Sequence, residues 1–238
     1  MNEILLEQDG HPVAGRGAID PARQTAVQIY ERLRTAIVTL EMEPGSTVDR
    51  SELQRVFGRS STPIRDALAR LSEEGLVDIV PQSATRISLI DVAKARQTQF
   101  LRRALELEAV EMLSTAPDKS VVPFLRGLVA RQKVAAEHQD LSTFDQLDRE
   151  FHARIFEAAG VSDLYAFLRQ RSGHIDRIRR LHLPVSGKSQ EIIRGHTLIV
   201  KAISAGDAAD ARRRMRDHLS SSLAYIPELR EKYPTYFR

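Results

Sequence analysis

The segment DREFHARIF, residues 148 to 156, places Asp148 and His152 four positions apart in a stretch with helical character. That spacing puts a carboxylate and an imidazole on one helix face about one turn apart. The pair is either half of a metal site or two polar residues on a solvated face. With no cysteine in the chain, disulfides, thiolate zinc sites and cysteine nucleophiles are excluded, so any metal is held by nitrogen and oxygen donors. His196 stands ten residues before Gly206 and His218 twelve after it. If the chain folds back at SAGD, a rise of about 1.5 Å per residue leaves the two imidazoles level to within roughly 3 Å. They can then share one ligand.

A second group of residues suits anion binding. Between Arg50 and Arg70 five arginines (Arg50, Arg55, Arg59, Arg65, Arg70) face two acids, Glu52 and Asp66. Over Pro21 to Ile90 nine arginines meet nine acids, so the basic character is local, and the net charge of +3 names no partner by itself. A helix opening in the Ser/Thr-rich turn before Pro63 offers free backbone N–H groups to a phosphate and projects Arg65 beyond its first turn.

The elements that must position these groups can be read along the chain. Its 238 residues, 42% hydrophobic and 28% charged, suit a globular protein of two modest domains with a Leu/Ile/Val/Ala core. No apolar run approaches the length of a membrane span, and the first residues lack the features of a signal peptide, so a cytoplasmic protein with no membrane partner is expected. Residues 1–22 read as a mobile arm. Val27, Tyr30, Leu33, Ile37 and Leu40 recur at helical spacing. Asp49 and Glu52 form a capping box for a short helix that stops before Gly58. Thr62 as N-cap and Pro63 at the first helical position open a third helix with the stripe Ile64, Leu68, Leu71. LVDIV and TRISLI then alternate around the turn PQSA as a hairpin. Three helices and a hairpin over residues 23–90 are the layout of a winged helix-turn-helix. From Asp91 to residue 232 only helical runs remain, in six segments, 91–114, 119–138, 141–158, 162–182, 189–204 and 207–231. The fold class is therefore mostly α, a winged helix-turn-helix domain followed by an all-α six-helix antiparallel bundle.

LRTAIVTLEMEPGSTVDRSELQRVFGRSSTPIRDALARLSEEGLVDIVPQ resembles the DNA-binding domain of GntR-family transcription regulators, whose motif reads S-R-T-P-V-R-E-A-L followed by R-L and E-G-L. The resemblance implies double-stranded operator DNA as partner. It implies contacts from Arg65, Thr62, Ser61 and Ser60, with Arg50 or Arg55 near phosphates. Ser61 stands where the family usually has arginine, which makes Arg59 a candidate replacement, and Ala84 stands where the wing usually carries glycine. Arg70 is either a contact or a surface arginine on the back of the helix.

The second half is similar to the FCD effector-binding domain of the FadR-like branch, through LRRALELEAVEML, DREFHARIFEAAG and EIIRGHTLIVKAISAGDAADARRRMRDHL. In metal-binding FCD domains an Asp-x-x-x-His pair and two further histidines share a divalent transition metal, which implies Asp148, His152, His196 and His218 as ligands to zinc, nickel or manganese. His174, fourteen residues after Gly160, reads as an effector contact or a support for a ligand. Arg102 occupies the position used to hold a small carboxylate, against the alternative of a salt bridge to Glu106 one turn along. Val161 replaces the asparagine usual after AAG. His138 and His182 read as surface or helix-capping residues, and His11 falls in the arm. A metal quartet occupies the space an acyl-CoA would need. The implied function is a homodimeric regulator, a repressor, that binds operator DNA under the control of a small carboxylate. The alternative is a metal-dependent enzyme acting on small organic acids.

Overall fold

The computed structural model describes residues 24–80, 84–185, 187–220 and 223–238. The arm expected over residues 1–22, with His11, and most of the PQSA turn lie outside them. The chain divides into two compact units.

The first unit begins with α1 (Thr25–Val38), which buries Ile29, Leu33, Ala36 and Ile37 along one face. Helix α2 (Arg50–Phe57) is capped by Asp49, whose Oδ1 accepts from the N–H groups of Ser51 at 2.7 Å and Glu52 at 3.3 Å. It stops at Gly58, where φ of +60° costs a glycine nothing. Helix α3 (Ser61–Glu73) turns Ile64, Ala67, Leu68 and Leu71 inward. It starts earlier than expected: Ser60 is the N-cap in extended geometry, Ser61 the first helical residue, and neither Thr62 nor Pro63 has the role read from the sequence. The first turn has no intrahelical acceptors for its N–H groups, so a proline fits at its third position as well as at its first. Strands β1 (Val77–Ile79) and β2 (Thr85–Ile87) pair antiparallel with Val77 opposite Ile87, and both of these side chains are buried against the helices.

The second unit contains α4 (Val92–Thr115), α5 (Val121–Glu137), α6 (Leu141–Ala158), α7 (Ser162–Arg171), parts of α8 (Gly173–His182), α9 (Lys188–Ala205) and α10 (Ala208–Ser220). Helix α5 packs on α6 and α9, and α9 packs on α10. Their shared core includes Val110, Leu125, Phe144, Phe151, Ile155, Ile199, Ile203 and Met215. Gly206, at φ +75°, ends α9 and turns the chain back into α10. None of the helices among the described residues is long and apolar enough to cross a membrane.

Two of the six expected helical segments are broken. The run 162–182 divides at Ser172, where the Arg171 carbonyl accepts from Thr98 Oγ1 at 3.0 Å and the Arg169 carbonyl from Ser172 Oγ at 2.9 Å. The run 207–231 ends as α10 at Ser220 and resumes as α11 (Ile226–Lys232), with Pro227 in its first turn where no N–H is required.

The middle of α8, Asp176–Arg180, and the C-terminal residues Glu228–Arg238 belong to the first unit. There Arg177 is fully buried and donates from Nη1 to the Ser88 carbonyl at 2.6 Å and from Nη2 to Ser88 Oγ at 3.3 Å. Burial lowers the Arg177 pKa to about 10, aided by Arg238, which still leaves it charged at neutral pH. Ile90 and Phe237 form a parallel bridge.

Candidate metal centre

Helix α6 carries Asp148 and His152 one turn apart, α9 carries His196 and α10 carries His218. The first three are almost wholly buried and His218 is partly so. His196 Nε2 lies 3.2 Å from His218 Nε2, which lies 3.4 Å from His152 Nε2; Asp148 Oδ1 is 3.6 Å from His196 Nε2. The four ligand atoms all lie within 4.8 Å of one another. Donors at the usual metal–nitrogen distance of about 2.0–2.1 Å stand about 3.0 Å apart at a right angle and about 3.4 Å apart at the tetrahedral angle. Three neutral imidazoles and a carboxylate at these separations fit a divalent transition ion.

The tautomers agree with that use. His152 Nδ1 lies 2.5 Å from Glu106 Oε2, and a carboxylate only accepts, so Nδ1 carries the proton and Nε2 presents its lone pair to the centre. His196 Nδ1 lies 2.8 Å from Gln132 Oε1 with the same consequence. The Phe151 ring stacks on His196 at 3.8 Å and fixes its plane. The His218 pKa is held well below its ordinary 6.5, first by burial and then by the neighbouring His196 and His152, which keeps the ring neutral. Gly195 decides where that ring can sit: a Cβ there would stand 2.9 Å from His218 Nδ1.

Beneath His152, Glu106 is fully buried and also accepts from Arg102 Nε at 2.6 Å. Burial by itself would raise its pKa, but the charges and hydrogen bonds of His152 and Arg102 outweigh this and bring it to about 2. The salt bridge weighed for Arg102 from the sequence is therefore made, and the other N–H groups of its guanidinium are what remains for a ligand.

Residues 25–87 match the model of bacterial regulatory proteins of the gntR family, and residues 97–221 match that of the FCD domain. The chain belongs to the GntR family. It is 34% identical over 209 residues, 88% of each chain, to an HTH-type transcriptional regulator in an unstable DNA locus of Streptomyces ambofaciens. It is 26% identical to the HTH-type transcriptional repressor RspR of Escherichia coli K12, over 92% of this chain and 96% of that one. Among solved structures, E. coli McbR/YncC shares the fold with a TM-score of 0.72 at 20% identity, covering 87% of this chain and 99% of that one. This GntR protein is a DNA-binding transcription regulator, and the enzyme considered from the sequence falls away because its relatives are regulators.

On the winged helix of this GntR protein, Arg59, Ser60, Ser61, Thr62 and Arg65 are exposed around the start of α3. The Arg65 side chain is 72% exposed, and its ion pair with Asp66 is loose at 3.9 Å. Arg55 is exposed as well, with a 3.9 Å contact to Glu52. Arg50 is engaged: its Nη2 and Nε lie 2.8 and 3.2 Å from Thr85 Oγ1, tying the start of α2 to β2. Arg70 lies over the Tyr30 ring, 3.9 Å from its centroid, on the side that faces α1.

Of the other histidines, His174 is buried on α8 and is not among the four whose ligand atoms converge. His138 is exposed at the C-cap of α5. His182 corrects the expectation of a surface role: it is buried at the end of α8, with its ring tilted against that of Tyr225 and the centroids 3.8 Å apart. Glu106 had been read only as an alternative partner for Arg102, and Gln132 and Gly195 were missed altogether. Gln132 sits in LVARQKVAAE with no spacing that distinguishes it from a surface glutamine, whereas a glycine directly before a candidate ligand in a helix was a usable signal.

Proposed function

We propose that the protein is a cytoplasmic, homodimeric repressor whose operator binding is modulated by a small carboxylate held at a divalent metal centre in its helical domain. The observation that carries this reading is the convergence of Asp148, His152, His196 and His218, with Nδ1 of two of the histidines already directed to acceptors. A divalent ion, if held by Asp148, His152, His196 and His218, would supply Lewis acidity suited to a carboxylate. Arg102 binds the anion from the side through its remaining N–H groups, and Glu106 holds both Arg102 and His152 in place. His174 is proposed as a further effector contact.

On the DNA side, Arg65 reads base edges in the major groove while Ser60, Ser61 and Thr62, with the free N–H groups of the first turn of α3, bind a phosphate. Arg59 and Arg55 extend that basic surface, and Arg50 reaches phosphate only through the guanidinium it shares with Thr85. One short recognition helix reads few base pairs, so a two-fold dimer on a symmetric site supplies the needed selectivity.

The test is metal analysis of the purified protein together with operator affinity, measured on metal-loaded and chelator-stripped samples with and without small organic acids. The reading predicts one divalent ion per chain and an acid-dependent change in affinity only when the metal is present. Full response in stripped protein would overturn it.

A further inference from the structure

The last residues of the chain lie beyond both matched models, which end at residues 87 and 221, yet Glu228–Arg238 belongs to the unit that carries the DNA-binding helices. After α11 the chain makes one 3-10 turn, Pro234–Tyr236, and then runs parallel to the backbone at Ile90. The Ile90 N–H donates to the Tyr236 carbonyl at 2.7 Å, and the Ile90 carbonyl accepts from the Arg238 N–H at 3.1 Å. Side chains fasten the same segment. Phe237 is buried, Arg238 Nη2 lies 3.4 Å from Asp91 Oδ2, and the Tyr236 hydroxyl donates to the Glu43 carboxylate.

These anchors grip β2 from two sides. Ile90 and Asp91 follow it in the chain. Glu43 opens the loop along one of its edges, where the N–H groups of Gly45, Ile87 and Val48 donate to the carbonyls of Ile87, Ser46 and Thr85 at 2.8, 2.9 and 2.8 Å. Strand β1 occupies the other edge. A two-stranded hairpin is marginal alone in water, so whatever pairs with its second strand and anchors its exit fixes where its side chains stand. On its outer face β2 presents Arg86, exposed between the buried Thr85 and Ile87. Asp78 stands opposite it in the register, and the bond from Arg86 Nη1 to the Gly45 carbonyl is long at 3.5 Å. A guanidinium held this loosely is available to a DNA phosphate.

We infer that residues 233–238 form a strap that positions the hairpin for DNA binding, so that Arg86 meets a phosphate of the bound duplex. Tyr236, Phe237 and Arg238 are positioning residues, acting through β2 and the loop at Glu43. The inference needs only the DNA-binding activity and is independent of the metal centre.

The probe is a labelled duplex selected from a randomised library with the wild-type protein. It is titrated at several salt concentrations, with active protein counted by stoichiometric binding. The wild type is compared with a chain shortened by residues 233–238 and with Tyr236→Phe combined with Arg238→Ala, which keeps Phe237 and the pairing at Ile90. Each is made with and without Arg86→Ala. In the wild type Arg86→Ala should weaken binding and lower the slope of log affinity against log salt by about one, the loss of one phosphate contact. Each strap variant should show the same loss by itself, and adding Arg86→Ala should then change its affinity by less than about twofold, because the contact is already gone. A strap that only stabilises the fold gives an unchanged slope and losses that multiply. That result overturns the inference, as do unchanged binding in the strap variants and an Arg86→Ala without effect in the wild type. The shortened chain decides where it folds, and the double substitution decides where it does not.

Discussion

Replacing Gly195 by alanine separates the metal centre from the fold that carries it. The added methyl carbon would stand 2.9 Å from His218 Nδ1, 3.4 Å from its Cγ and 3.5 Å from its Cβ. Comfortable contact between such atoms begins at about 3.5 Å, so the imidazole must retreat by roughly 0.5 Å. His218 Nε2 now lies 3.2 and 3.4 Å from its two partner nitrogens, and metal–ligand distances tolerate only about 0.2 Å of error. Metal affinity should fall by about 10- to 100-fold, the usual effect of disturbing the groups that position a ligand. Helix propensity works the other way, since alanine in a helix interior is favoured over glycine by about 0.5–1 kcal/mol. The metal-free variant should therefore unfold at or above the wild-type temperature while losing affinity. Competition against a fluorescent zinc chelator gives the affinity, and thermal unfolding of stripped protein gives the stability. Affinity within about twofold of wild type would show that His218 is not placed by this helix surface, and the reasoning would fail.

Arg65→Ala should weaken specific operator binding by about 1–3 kcal/mol in a gel-shift titration, with metal content unchanged; an unaltered footprint counts against Arg65 as a base contact. His196→Ala and His218→Ala should each sharply lower the metal content seen by elemental analysis, whereas exposed His138→Ala should leave it at the wild-type level. Because the folded pKa of His218 lies well below 6.5, the unfolded chain binds more protons below that pH and the metal-free protein loses stability as pH falls through about 6.5. Denaturant midpoints across that range should fall less in His218→Ala than in wild type. Arg177→Ala removes the donor buried against the Ser88 carbonyl and should cost about 1–3 kcal/mol in a denaturant titration; no change would mean that water takes over the hydrogen bond.

Much of this was legible from local pattern. Periodic apolar residues, the Asp49 cap and Gly58 delimit the short helices, because propensity, capping and burial of one face act over a few residues and leave a repeat in the sequence. Two of the converging ligands, His196 and His218, were countable because Gly206 marks a reversal and arms of similar length bring residues level, while Asp148 and His152 joined them through the family resemblance. The start of α3 was misplaced because Thr62-Pro63 carries the usual N-terminal signature, whereas Ser60, the actual N-cap, makes no side-chain capping hydrogen bond that a sequence pattern would reveal. The break at Ser172 left no local signal, and the Arg171 carbonyl there meets the Thr98 hydroxyl from 73 positions away. Glu106 and Gln132 likewise meet His152 and His196 across separations of 46 and 64 residues. Local sequence determined which elements form and which residue types could bind an ion. Tertiary packing alone decided which buried acceptors orient those ligands, since Glu106 and Gln132 reach them only when helices distant in the chain come within hydrogen-bonding distance.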